Sequence, residues 1–171
     1  MSHLTKAVLL VAALGLAACS SPGRIPDDGP TGPGVNGIDS SGLGSVSDPR
    51  SIAYFNQMVG DRVLFAVDES TISPEARATL AQQASWLLEN TEYSAIIEGH
   101  ADEQGTREYN LALGARRASA VQQFLIAQGV AASRLRTVTF GKERPLEICS
   151  NETCYAQNRR AVTVLRVDTG V

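Results

Sequence analysis

Beyond residue 51 the apolar residues fall into four short runs and two longer stretches with helical spacing. Ser51 to Met58 reads as a short helix, broken by Gly60-Asp61 before the run RVLFAV, which reads as a strand. ISPEARATLAQQASWLLEN has strong helix-start signals: Ser73 as N-cap, Pro74 at the first helical position and Glu75 in the first turn. Ala76, Leu80, Ala84, Leu87 and Leu88 then fall on one face. YSAIIE, from Tyr93 to Glu98, is strand-like and is closed by Gly99. A long helix opens at Gly105 or Thr106 and runs to about Gln128, where Gly129 stands ready to end it. Arg134 to Phe140 alternates as a third strand closed by Gly141, and RRAVTVLRV forms the last, after a loop with Pro145 and a helical piece near Tyr155. The order β-α-β-α-β-(α)-β predicts a sheet with helices packed against one face.

The residues before this domain follow other rules. MSHLTK leads into AVLLVAALGL, an apolar run too short for the roughly 20 residues a bilayer requires, so it reads as a signal peptide over residues 1–18. Leu16 to Cys19, LAAC, resembles the bacterial lipobox, which implies a diacylglycerol thioether and an acylated amino group on Cys19. Ser20 stands where an aspartate would resemble an inner-membrane retention signal, so the expected location is the outer membrane, lipid-anchored and facing the periplasm. Two or three acyl chains hold stably where one is reversible. Residues 19–50 form a tether of Gly, Pro, Ser and Asp that cannot bury a core. It would span roughly 30 Å as a coil and about 100 Å extended. Order is expected from 51 to 171.

The charge pattern narrows the function. With 15 basic and 18 acidic residues the net charge is −3, so no basic field draws nucleic acid. His100 is the one histidine that remains after His3 leaves with the leader, and a metal site wants three or four ligands. No G-x-S-x-G elbow provides a nucleophile. His100 is therefore read as a hydrogen-bonded residue that shapes the turn, and neither a catalytic group nor a cofactor is expected beyond the lipid on Cys19.

Arg117 is the residue to explain. Leu113, Arg117, Val121 and Leu125 are spaced by four, so a guanidinium interrupts the core-facing stripe and needs an anionic or multiple-acceptor partner. Arg116 points elsewhere, into solvent, while Asn110 lies two turns before Arg117 on the same side. Asp102 follows the second strand, in a loop of the kind that gathers ligands at the carboxyl ends of strands. An Asp102–Arg117 salt bridge, or Asp102 capping its turn, would satisfy both without any ligand. Cys149 and Cys154 remain after Cys19, and in an exported chain they read as a local disulfide contributing roughly 2 kcal/mol.

EGHADEQGTREYNLALGARRASAV, then FGKERP at 140 to 145, then AQNRRAVTV at 156 to 164, together resemble the OmpA C-terminal-like domain over about residues 60 to 167. The resemblance implies an α+β (α/β sandwich) fold with a mixed sheet. It also implies non-covalent binding of peptidoglycan through the meso-diaminopimelate of its stem peptides. Its paired ligand residues fall on Asp102 and Arg117, with Asn110, Asn158 and Arg159 as secondary members. An acceptor-only Asp suits the ammonium of diaminopimelate and a forked Arg suits its carboxylate. Lipid-anchored members further imply a place in the Tol envelope system and binding of the periplasmic protein TolB on an overlapping surface. The competing readings are a wall-anchoring lipoprotein without a Tol partner and a cell-wall hydrolase using His100 and Asp102. One departure stands out: the family's F-D-x-D turn reads FAVDES here, with Ala66 in the first acidic place and Asp68 retained.

Overall fold

The structure, a computed structural model, describes residues 43–148 and 150–167. The leader, Cys19, most of the tether and Cys149 lie outside the described residues. Helix α1 (Ile52–Tyr54) continues as a π-helical stretch over Phe55–Gly60, and β1 covers Arg62–Leu64. Then come α2 (Pro74–Glu89), β2 (Tyr93–His100), α3 (Arg107–Ala127), β3 (Leu135–Gly141), α4 (Glu152–Asn158) and β4 (Arg160–Val167). The strands form one mixed sheet in the order β1-β4-β2-β3, with β2 parallel to β3 and antiparallel to β4. The element order is the one the periodicity predicts, and the mixed α+β sheet is the one the resemblance implies.

The helix starts obey local chemistry. Ser73 caps α2 by accepting from the Ala76 N–H, and Thr106 caps α3 by accepting from the Tyr109 N–H. Gly129, at φ 102°, supplies the left-handed residue after α3. The α2 and α3 stripes cover one face of the sheet, joining Leu80, Leu87, Ile97, Val121, Leu125 and Leu165 in a single core. Leu88 departs from the expected stripe: it is 46% exposed, and the buried place on that face goes to Gln83. Gln83 is satisfied there, donating to the Gly60 carbonyl at 2.6 Å and accepting from Thr163 at 2.8 Å.

Two further differences have physical causes. The first strand ends at Leu64 instead of running on through RVLFAV, because the Phe65 N–H is still tied to the Arg159 carbonyl but the Ala66 carbonyl is taken by an arginine from α3. Residues 43–50, which composition assigns to the tether, pack on the domain. The Trp86 indole donates to the Pro49 carbonyl at 2.7 Å, and the Tyr93 hydroxyl to that of Arg50 at 3.0 Å.

α3 can reach the sheet because two glycines face each other. A Cβ on Gly99 would lie 1.9 Å from the Gly114 carbonyl oxygen, and one on Gly114 would lie 2.4 Å from Thr139 Oγ1. This contact sets how deep α3 sits, and so where Arg117, less than one turn on, meets the end of β2.

Candidate functional site

The loops that follow β1 and β2 meet α3 at the carboxyl end of β2, around a cleft of about 240 Å³. Asp68, Asp102, Gln104, Tyr109 and Asn110 contribute to its lining. Arg117 lies beneath, fully buried. Its Nε donates to the Glu69 carbonyl at 2.8 Å, and its two amino groups to those of His100 at 2.8 Å and Ala66 at 3.1 Å. The guanidinium also rests 5.2 Å from the centre of the Phe65 ring. Burial lowers its pKa to about 10, with the charge of Asp102 acting in the opposite direction, so it stays a cation at neutral pH. Three carbonyls are the multiple acceptors that an arginine in a core stripe requires. Three of its five N–H groups are thereby used.

Asp102 does not form the considered salt bridge with Arg117. Its Oδ2 accepts from Arg159 at 3.2 Å and its Oδ1 from the Gln104 N–H at 3.1 Å, which turns the loop back on itself. Arg159 in turn donates to Glu152 at 2.5 Å and to the Phe65 carbonyl at 3.2 Å, so it ties β1, the β2 loop and α4 together. Asn110 donates to the Gln104 carbonyl at 2.7 Å and fixes the same loop from α3. Asn158 works farther round: it accepts from the Leu146 and Glu147 N–H groups and donates to the Glu147 carbonyl, holding the loop after Pro145. The structure thus puts Asp102 and Asn110 in the cleft wall, Arg159 behind it bonded to Asp102, Arg117 bonded to the carbonyls of the neighbouring loops, and Asn158 in a bracing position farther round.

His100 corrects the expectation of a hydrogen-bonded turn residue. It is the last residue of β2, 2% exposed, with its ring 5.5 Å from that of Phe140. Neither ring nitrogen meets full hydrogen-bond geometry, although the Arg144 main chain is near enough to act on the ring, and the Glu98 carboxylate stands 3.6 Å from Nε2. Burial, reinforced by the nearby Arg160 charge, pushes its pKa down to about 4 and keeps it neutral. Its contribution to the site is its main-chain carbonyl, held by Arg117.

Tyr109 and the turn at Asp68 are members that sequence reasoning left out or held loosely. Asp68 has φ 60°, uncommon for a residue with a side chain, and accepts a hydrogen bond from the Tyr109 hydroxyl. That contact closes the β1 loop over α3. The only sequence signal for Tyr109 is its place beside Asn110 in the first turn of α3. Ala66 acts through its backbone, so the missing carboxylate does not disturb the hold on Arg117. FGKERP serves the loop as well: Lys142 donates to the Gly105 carbonyl at 2.7 Å. Cys154 is disulfide-bonded, while Cys149 lies outside the described residues. Among the described residues no group of three metal-ligating side chains forms, and no helix is long and apolar enough to cross a membrane.

A mixed sheet covered on one face, with a buried ion pair and polar loops around a small cleft at the end of β2, defines an OmpA-like α+β module. The OmpA family model matches residues 64–159, and the chain belongs to the OmpA family. Its relatives include the peptidoglycan-associated lipoprotein of Mesorhizobium japonicum, 48% identical over 92% of this chain and 89% of that one. The protein of the same name from Pseudomonas aeruginosa is 38% identical over 90% and 91%. The crystal structure of the peptidoglycan-associated lipoprotein from Burkholderia pseudomallei matches with a TM-score of 0.63 and 36% identity, over 71% of this chain and 98% of that one. The C-terminal domain of Helicobacter pylori MotB shares the fold at a TM-score of 0.59 and 19% identity, over 64% of this chain and 86% of that one.

Proposed function

We propose that this protein is an outer-membrane lipoprotein that binds peptidoglycan non-covalently, gripping the meso-diaminopimelate of a stem peptide at the cleft beside Asp102. The observation that carries this reading is the cleft itself. It has a carboxylate at its wall and a buried guanidinium beneath it, in a chain whose relatives carry the name peptidoglycan-associated lipoprotein. One end of diaminopimelate bears an ammonium and a carboxylate on the same carbon. The carboxylate of Asp102 accepts from the ammonium on lone pairs that Gln104 and Arg159 leave free. The ligand carboxylate takes the two N–H groups of Arg117 not already given to carbonyls. Because Arg117 is roofed by the turn at Ala66 to Glu69, the ligand must displace the Asp68–Tyr109 contact to reach it. Lysine-type stem peptides lack that carboxylate and leave the guanidinium unpaired, a loss that polar sites penalise heavily.

Membership of the Tol–Pal system belongs to the same proposal, with TolB competing for the cleft end and the lipid on Cys19 holding the chain to the outer membrane. Co-sedimentation with diaminopimelate-type peptidoglycan tests the grip. Wild type should pellet with it and stay soluble with the lysine type, and Asp102→Asn and Arg117→Lys, checked for folding by thermal melting, should stay soluble with both. Folded variants that pellet like wild type would sink it. A TolB pull-down that recovers nothing would leave a wall anchor without a Tol partner.

A further inference from the structure

The sheet's other face carries the residues that alternate with the core, among them Ser94 and Ile96 of β2, Arg136 of β3 and Arg166 of β4. Where β2 begins, a cleft of about 260 Å³ opens between Arg136 and Arg166. Register places Arg166 opposite Ser94 and Arg136 beside Ile96, so the two guanidinium groups flank β2 from its two neighbours. Ser94 and Ser133 add hydroxyls to the wall, and no carboxylate lines the cleft.

Four arginines elsewhere are matched with acids, Arg50 with Glu92, Arg62 with Asp61, Arg107 with Glu143 and Arg159 with Asp102, while Arg77, Arg116 and Arg144 lie over aromatic rings. Arg136 and Arg166 are exposed and, among the described residues, have no ion pair. Arg134, also at the cleft, gives its guanidinium to the carbonyls of Tyr93, Leu87 and Asn90, which fixes its charge in place, with Glu92 near enough to feel it. Three guanidinium groups converge here in a chain of net charge −3, two of them without an ion pair among the described residues. Two forks approaching from opposite sides, with hydroxyls between them, suit a tetrahedral anion with several acceptor oxygens better than a planar carboxylate.

The cleft lies at the same end of β2 as the packed segment 43–50, through which the chain arrives from its N-terminal side. We propose that Arg136, Arg166, Ser94 and Ser133 bind the phosphate of an anionic phospholipid headgroup, seating this end of the domain on the membrane that carries its anchor. The phosphate chemistry stands on the cleft; the lipid as its source rests on the reading of the chain as a lipoprotein.

The test uses residues 43–171 without the acylated cysteine, so that any membrane binding comes from the domain. This piece contains every described element, and the solved Burkholderia relative is matched over 98% of its own chain by 71% of this one. Flotation with phosphatidylcholine vesicles is compared with flotation on vesicles containing phosphatidylglycerol, at low salt. Retention should be about tenfold higher on the anionic vesicles and fall with added salt. The double variant Arg136→Gln/Arg166→Gln should lose that preference, and Arg62→Gln, already paired with Asp61, should keep it. Melting curves confirm that each variant is folded, and the single variants repeat the test if the double one is not. Equal retention on both vesicles, or a folded double variant that floats like wild type, overturns the proposal. Inorganic phosphate shifting the Ser94 and Ser133 amides without vesicle binding keeps the anion site and overturns the lipid as its ligand. Co-sedimentation with peptidoglycan should be unchanged in the double variant, so failure here and failure at the Asp102 cleft are read separately.

Discussion

At each end of β2 an arginine gives its guanidinium to three backbone carbonyls: Arg117 to Glu69, His100 and Ala66, and Arg134 to Tyr93, Leu87 and Asn90. The surroundings differ. Arg117 is fully buried, close to Asp102 and Asp68, under a cleft whose wall is acidic. Arg134 is half-buried and shares its cleft with two more arginines. The same clamp therefore serves two ends of opposite character. A cation locked onto carbonyls organises loops, and the neighbouring side chains decide what the place can bind.

The comparison can be broken most severely where α3 meets the sheet. Gly114→Val would drive a side chain into Thr139 and the Gly99 carbonyl, which are backed by β2 and β3. Overpacking at so rigid a place should exceed about 3 kcal/mol, and a melting temperature close to wild type would show that α3 slides freely. The two clamps can then be set against each other. Arg117→Met leaves three buried carbonyls without their donor and should cost about 3–5 kcal/mol by denaturant unfolding. Arg134→Met, whose guanidinium is only half-buried, should cost less, about 1–2 kcal/mol; equal losses would mean that burial does not separate the two ends.

Acid sharpens the contrast at the β2 terminus. His100 has a folded pKa of about 4 against an unfolded 6.5, so the unfolded chain takes up its proton first as pH falls. Stability from this group is intact above pH 6.5 and declines between 6.5 and 4, by up to about 3 kcal/mol. His100→Phe should flatten that slope in unfolding midpoints measured across the window; an unchanged slope would place the titration elsewhere. Asp102→Asn comes next, with peptidoglycan affinity expected to fall at least tenfold, about 1.4 kcal/mol or more, so that the folded variant stays soluble in co-sedimentation. Tyr109→Phe should change stability least, within about 1 kcal/mol, because its bond to Asp68 is exposed. If the β1 loop roofs Arg117, the same variant should bind peptidoglycan no more weakly than wild type.

The helices were legible because their signals are local. Ser73-Pro74, Thr106 and Gly129 carry out in the structure the roles their chemistry dictates. Arg117 was legible as a problem, since a cation in a core stripe must find acceptors, and three carbonyls are what it finds. What it pairs with was not. Its acceptors come from residues 66, 69 and 100, and the partner of Asp102 is Arg159, 57 positions away, so only the closed sheet brings them together. Gln83 escaped notice for the same reason: its partners, Gly60 and Thr163, sit on other elements. The place of the His100 ring was not legible either, because its neighbour Phe140 comes from β3, 40 positions on.

The packed segment 43–50 has a mechanical consequence. It is fastened to Trp86 and Tyr93 where β2 begins, whereas Asp102 lies just past where β2 ends. A pull between the N-terminal segment and a ligand held at the far cleft runs along β2, an interior strand bonded to β4 over Tyr93 to Gly99 and to β3 over Ala95 to His100. Such a load shears those rows of hydrogen bonds together instead of peeling them one by one. The domain is thereby oriented to carry tension from end to end.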